Sequence, residues 1–125
     1  MTQTGDTVVD MGTQEGVVCD YPDIAVSVCD KVLNGECDRG VLLCGTGIGM
    51  SIAANKIKGI RAAVLSDSFG ARYARLHNDA NVCCMGARVI GAGLAAELLD
   101  IFLSSEFEGG RHIPRVEKIM AIENL

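Results

Sequence analysis

A short apolar run that leads into three alternating glycines constrains the fold of this chain more than any other feature. The run from Gly40 to Cys44 has the length of a buried strand, and Gly45, Gly47 and Gly49 follow it. An apolar helical segment through Ile57 comes next. A strand that turns through glycines into a helix is typical of sheets in which helices connect parallel strands. We therefore expect an α/β fold.

The rest of the chain alternates strands and helices in the same way. Further strands are predicted at Thr7 to Val9, Ile60 to Leu65 and Ala80 to Met85. Helices are predicted from Pro22, with Asp20 as a candidate cap, and over Ser68 to His77, Leu94 to Phe102 and Arg111 to Asn124. The pattern indicates one domain over residues 1–125, with an open parallel sheet in a Rossmann-like three-layer α/β/α arrangement.

Composition excludes several classes of function. The net charge of −5 argues against a general nucleic-acid binder. No apolar run approaches the roughly 20 residues that span a bilayer, so no membrane partner is expected. The first ten residues lack the basic and apolar regions of a signal peptide, so we expect a cytoplasmic protein with six free thiols. No C-x-x-C pair accompanies the two histidines, and no metal site is predicted.

Ligands of open parallel sheets bind beyond the carboxyl ends of the strands. The residues to inspect there are Cys44 to Gly49, Ser66-Asp67 and Gly86 to Arg88. Free N–H groups at a helix start bind anions, and a thiol beside them is favoured as thiolate. The turn can therefore supply a base and donors for a developing oxyanion. A buried cysteine followed by a tight turn explains the glycine spacing equally well.

The same turn matches the pattern of a dinucleotide-binding site only in part. A dinucleotide fingerprint requires G-x-G-x-x-G, and Met50 stands at the third glycine position. Asp67 does follow at about the 20-residue distance of a ribose-binding acid. A noncatalytic nucleotide- or phosphosugar-binding module is thus an alternative.

Three further candidate site residues, His77, Arg111 and Arg115, lie outside the glycine turn. His77 can act as an acid or base near neutral pH, although its place at a helix end favours a role in satisfying the last carbonyls. Arg111 and Arg115 lie four residues apart on one predicted helix face and can clamp a phosphate. A solvated helix face is the alternative for the two arginines.

Five segments in order give the chain a resemblance that covers nearly its whole length. They are CDYPD from Cys19, CGTGIGMSIAANK from Cys44, GIRAA from Gly59, HNDAN from His77 and EGGRH from Glu108. Together they resemble the type B ribose-5-phosphate isomerases, in the family that also includes galactose-6-phosphate isomerases. The cysteine of the glycine turn points to the ribose-phosphate branch.

The resemblance implies isomerisation of ribose 5-phosphate to ribulose 5-phosphate, in the pentose phosphate pathway, without metal or organic cofactor. It implies that Cys44 is the base of a cis-enediolate mechanism, that Thr46 assists proton transfer and that His77 opens the sugar ring. It further implies a homodimer or tetramer with the site between subunits. The implied substrate contacts are Tyr21, Gly45, Gly47, Gly49, Asn78, Asn81, Arg88, Arg111 and Arg115.

One departure from the family pattern concerns the first strand. Family members begin with a strand that carries an Asp-His pair, and this sequence contains no counterpart of it. The expected fold therefore lacks the family's first strand and helix. A misassigned start, a naturally short form, an inactive relative, and a subunit whose partner supplies the strand all remain open.

Overall fold

The computed structural model describes residues 5–13, 16 and 19–125. In chain order its elements are α1 (Tyr21–Leu33), β1 (Gly40–Cys44), α2 (Ile48–Asn55), β2 (Ala62–Val64), α3 (Ser68–Leu76), β3 (Val82–Gly86), α4 (Ala92–Ser104) and α5 (His112–Ala121). A 3₁₀ turn over Ile122–Asn124 follows α5.

The three strands form one parallel sheet in the order β1-β3-β2. Gly40 lies opposite Val82 and Cys44 lies opposite Gly86, so β1 and β3 begin and end at the same two edges of the sheet. All five residues of β3 are buried, as expected of a central strand with helices on both faces. The predicted α/β class with parallel strands is confirmed.

Alternate residues of the strands face two separate apolar clusters. On one face Leu42, Val82 and Cys84 pack with residues of α1 and α2. On the other face Cys83 and Met85 pack with residues of α3 and α4. This arrangement is the predicted three-layer α/β/α sandwich. Three of the six cysteines, at positions 29, 83 and 84, are buried in it as small apolar residues.

The predicted strand from Thr7 to Val9 is wrong. The segment is irregular, and the side chains of Val8 and Val9 are about half exposed. A groove of about 930 Å³ separates residues 5–13 from β1. Among the described residues β1 pairs only with β3, and its outer edge borders this groove. Residues 7–9 therefore pair with no strand among the described residues, and an isolated extended segment is not stable as a β-strand.

Several predicted boundaries also shift. Strand β2 is shorter than Ile60 to Leu65, and β3 runs from Val82 to Gly86 instead of Ala80 to Met85. Helix α2 ends at Asn55, and α5 begins one residue after Arg111 and gives way to the 3₁₀ turn. Asp20 occupies the N-cap position of α1, but its side chain makes no capping hydrogen bond.

Candidate active site

The glycine turn holds the Cys44 thiol against backbone donors at the carboxyl edge of the sheet. Cys44 is the last residue of β1, and the N–H of Gly47 donates a hydrogen bond to its Sγ at 3.1 Å. Gly47 has φ +81°, which disfavours a side chain, and it lies so close to β3 that a Cβ would stand 3.0 Å from the Met85 carbonyl carbon. Glycine is therefore required for the geometry that places N–H groups around the sulfur.

The turn changes the acidity of the thiol. Partial burial raises the pKa of Cys44, but the backbone N–H groups around the sulfur outweigh this effect and lower the pKa below its ordinary value of 9.0. Those N–H groups belong to Met50, Gly47, Thr46 and Gly49. By contrast, burial raises the pKa of Cys29 to about 11 and the pKa values of Cys83 and Cys84 to about 12. Among these four cysteines, Cys44 is the one whose pKa is lowered.

The loop after β3 packs directly on the glycine turn. The N–H of Ala87 donates to the Cys44 carbonyl at 2.8 Å, and the N–H of Arg88 donates to the Gly45 carbonyl at 3.1 Å. A Cβ at Gly86 would lie 2.7 Å from the backbone of Thr46, so the two loops approach as closely as glycine allows. The exposed Arg88 side chain therefore lies next to the turn, and its predicted contact with the substrate stays a prediction.

Two further predicted residues lie on this edge. The Tyr21 phenol covers Gly49, where a Cβ would stand 2.6 Å from its oxygen. The exposed Thr46 hydroxyl accepts a hydrogen bond from the N–H of Ile48 at 3.2 Å. The carboxyl edge thus brings together Cys44, Thr46, Tyr21, Arg88, Gly45, Gly47 and Gly49.

The remaining predicted residues lie at the opposite, amino edge. His77 is the C-cap of α3, and the segment after it leads to Asn81, whose carbonyl accepts from the N–H of Gly40 at the start of β1. Arg111 and Arg115 lie at the start of α5, and the N–H of Glu108 ties this region to α3 through the Leu76 carbonyl at 3.0 Å. Asn78 is exposed in the same region.

Within one chain the two groups of residues lie at opposite edges of the sheet. Cys44 and Gly40 mark the two ends of β1, and four strand residues at about 3.3 Å each separate the edges by about 13 Å. We call the two groups the thiol half-site (around Cys44) and the histidine half-site (around His77).

A column of four aromatic rings marks the histidine half-site and was not predicted from the sequence. Phe69, Tyr73 and His77 recur at four-residue spacing on α3, with ring centroids 4.5 and 4.6 Å apart. His77 then stacks on His112 with centroids 4.1 Å apart and ring planes at 15°. The spacing within α3 is visible in the sequence, but the contact with His112 depends on how α5 packs.

Asn81 and Asp67 have structural partners. The Asn81 amide accepts from the N–H of Arg61 at 2.8 Å and donates to the Gly59 carbonyl at 2.9 Å, so its predicted sugar contact stays a prediction. The Asp67 carboxylate caps α3 by accepting from the N–H of Gly70. This bond explains Asp67 without a ribose hydroxyl.

Comparisons with known proteins agree with this architecture. A family profile described as Ribose/Galactose Isomerase matches residues 1–119. Ribose-5-phosphate isomerase B of Escherichia coli is 49% identical over 98% of this chain and 83% of its own length. D-erythrulose-4-phosphate isomerase of Pectobacterium atrosepticum is 48% identical over 95% and 79%. A solved structure of Clostridium thermocellum ribose-5-phosphate isomerase B superposes with a TM-score of 0.95 at 51% identity, covering 98% of this chain and 83% of that one.

Proposed function

The chain belongs to the Ribose/Galactose Isomerase family, and from this membership we propose that it interconverts ribose 5-phosphate and ribulose 5-phosphate. The one observation that carries the proposal is the Cys44 thiol, which accepts the Gly47 N–H at the head of the glycine turn. An aldose–ketose isomerase needs a base beside donors that stabilise an enediolate, and this turn offers both.

The proposed reaction begins at the thiol half-site. The Cys44 thiolate removes the C2 proton of the open-chain aldose, and the electron pair of the C–H bond moves to give a cis-enediolate. The same group returns a proton to C1, which leaves the ketose. Thr46, whose hydroxyl is exposed beside the thiol, moves the proton between the two substrate oxygens.

Backbone N–H groups from Gly45 to Gly49 would stabilise the negative charge on the enediolate oxygens. Helix α2 and the hydrogen bonds from Ala87 and Arg88 to the turn hold these N–H groups in place, so they need no rearrangement as the charge develops. Tyr21 and Arg88 border the same space and would contact the sugar. No step of this proposal requires a metal or an organic cofactor.

The histidine half-site would come from a second copy of the chain. His77 would open the furanose ring, and Arg111 and Arg115, both exposed, would bind the phosphate. The separation of the two edges within one chain supports this arrangement. Apolar side chains left in solvent support an oligomer as well, including Phe69, which is 74% exposed, and also Ile48, Ile52 and Val64.

The experiment is an assay of the 125-residue chain with ribose 5-phosphate, D-erythrulose 4-phosphate and galactose 6-phosphate as substrates. The proposal predicts the highest kcat/KM for ribose 5-phosphate. A higher value for the tetrose phosphate would establish the second candidate, which the relative from Pectobacterium atrosepticum supports. Saturable nucleotide binding without turnover of any sugar phosphate would favour the noncatalytic module instead.

A further inference from the structure

Two aromatic rings pack against the His77 imidazole in the histidine half-site. The Tyr73 ring has its centroid 4.6 Å away and is tilted by 48°, whereas the His112 ring lies 4.1 Å away with its plane only 15° from that of His77. An oxygen of Glu108 lies 3.8 Å from Nε2 of His77, which is too long for a hydrogen bond. The stack on His112, and not a bond to Glu108, therefore sets the plane of the His77 ring.

His112 is the fixed member of this stack. Its side chain is 8% exposed, whereas that of His77 is 35% exposed. The turn before His112 is anchored to the end of α3, because the N–H of Glu108 donates to the Leu76 carbonyl at 3.0 Å. The N–H of His112 donates to the Gly109 carbonyl at 3.1 Å and closes the turn. A buried, anchored ring thus supports a neighbour that reaches solvent.

The chemistry of the buried ring suits a supporting role. Nε2 of His112 has no hydrogen-bond partner within the described part of the chain, so the ring offers its neighbour a flat face. Burial, followed by the charge of His77, lowers the pKa of His112 below its ordinary 6.5, and the ring is neutral at neutral pH. Two positively charged imidazoles in face-to-face contact would repel each other. A neutral His112 leaves the proton of the stack to His77.

We propose that His112 is a positioning residue for His77, whose imidazole it holds in the plane in which a ring nitrogen meets the ring oxygen of a furanose substrate. The inference rests on the proposed function, in which His77 opens the sugar ring. Opening breaks the bond from C1 to the ring oxygen and forms the C1 carbonyl. His77 would give a proton to the ring oxygen, and water would take the proton of the C1 hydroxyl, so the proton count is unchanged. Proton transfer requires a short, aligned contact, and a His77 ring free to rotate would open the sugar more slowly.

Anomer exchange of ribose 5-phosphate measures ring opening apart from isomerisation. The α and β furanoses interconvert through the open-chain aldehyde, and carbon-13 exchange NMR on ribose 5-phosphate labelled at C1 gives the rate. The whole chain is used with Cys44→Ala, which removes the proposed base and leaves the histidine half-site intact. We expect this protein at saturating sugar phosphate to accelerate the exchange over buffer. His77→Ala in the same background should abolish the acceleration.

Two replacements of His112 in the Cys44→Ala background separate support of the ring from simple filling of space. His112→Phe keeps a flat ring under His77 and should keep most of the acceleration. His112→Leu fills the buried position without a flat face and should lower the acceleration by about tenfold or more, since a misplacement of 1 Å can cost about 10²-fold. Calorimetric Kd values for ribose 5-phosphate should be the same in both variants, because Arg111 and Arg115 at the start of α5 would bind the phosphate.

Three results would overturn the inference. They are equal exchange rates in His112→Leu and the Cys44→Ala parent, equal losses in His112→Leu and His112→Phe, and a loss in His112→Leu that comes with weaker binding, which would assign it to a displaced α5. The absence of any acceleration in the Cys44→Ala chain would overturn the role of His77 as well. None of these rates depends on isomerisation, so failure of the isomerase assay leaves their result intact.

Discussion

The backbone N–H of Gly47 donates to the Cys44 sulfur at 3.1 Å, across a turn that no residue with a side chain would readily adopt. This contact links the conformation of the turn to the acidity of the thiol. Since the thiolate is the form that can accept a proton from carbon, the turn and the proposed chemistry depend on each other.

Thiol reactivity tests this link without any substrate. Iodoacetamide reacts with thiolate, so the pH of half-maximal alkylation of Cys44 should lie below 9.0 in the folded chain. Denaturant should raise it, because unfolding removes the N–H donors. Peptide mapping separates Cys44 from the accessible Cys19 and Cys37. Cys29, with a pKa of about 11, should resist the reagent until the chain unfolds. A Cys44 midpoint at or above 9.0 would contradict the role given to the turn.

Mixing of inactive variants tests the assembly of the site from two copies. Cys44→Ala and His77→Ala should each be inactive as homo-oligomers. Co-expression should restore about one quarter of the parental activity, because half of the dimers are mixed and one of their two sites is intact. No recovery in mixed oligomers, confirmed by differential tagging, would place both residues in one chain's site. Co-expression of Cys37→Ala with Cys44→Ala is the reference, because it measures the activity of oligomers in which one subunit type keeps both Cys44 and His77.

Removal of the Asp67 carboxylate tests its assignment as a cap. Asp67→Ala should lower the free energy of unfolding by about 1 kcal/mol, the usual loss for an N-cap residue. Asp67→Asn should retain most of the stability, because the amide oxygen can accept the Gly70 N–H. Urea denaturation measures both. If Asp67 bound a nucleotide ribose instead, Asp67→Ala would abolish nucleotide binding and leave stability unchanged.

The buried imidazole predicts sensitivity to acid. Burial, with the charges of His77 and Arg111, places the folded-state pKa of His112 below 6.5, so the unfolded chain binds this proton more tightly. Stability is therefore unaffected by this group well above pH 6.5 and falls as the pH drops through that value toward the folded-state pKa. His112→Phe keeps a ring to stack on His77 and should show a shallower loss of thermal stability over this range. An equally steep loss in His112→Phe would assign the acid sensitivity to other groups.

The glycine turn was predictable because its geometry is local. Gly45, Gly47 and Gly49 directly follow an apolar run, and their spacing indicates the strand, the turn and the helix together. The boundaries of β2 and β3 were less accurate, because strand ends depend on which backbone groups a neighbour reaches. The segment from Thr7 to Val9 has strand-forming residues but no partner strand among the described residues, and it remains irregular.

The division of the predicted residues between two edges was not visible in the sequence. It follows from the direction of the helices, since α3 begins at the carboxyl edge with Asp67 and ends at the amino edge with His77. The stacking of His77 on His112 joins the end of α3 to the start of α5, a tertiary contact that no local spacing encodes. The sequence motifs identified the candidate side chains, whereas the topology of the sheet and helices decides which of these side chains lie close together.

The most direct test of the account is the rate of ribose 5-phosphate isomerisation by Cys44→Ala, measured beside Cys37→Ala. Both variants replace a partly exposed cysteine, so they differ only in which thiol is lost. The account predicts a kcat lower by about 10²- to 10⁴-fold for Cys44→Ala, the contribution of a general base, and parental kcat for Cys37→Ala. Full activity of a folded Cys44→Ala protein would contradict the account.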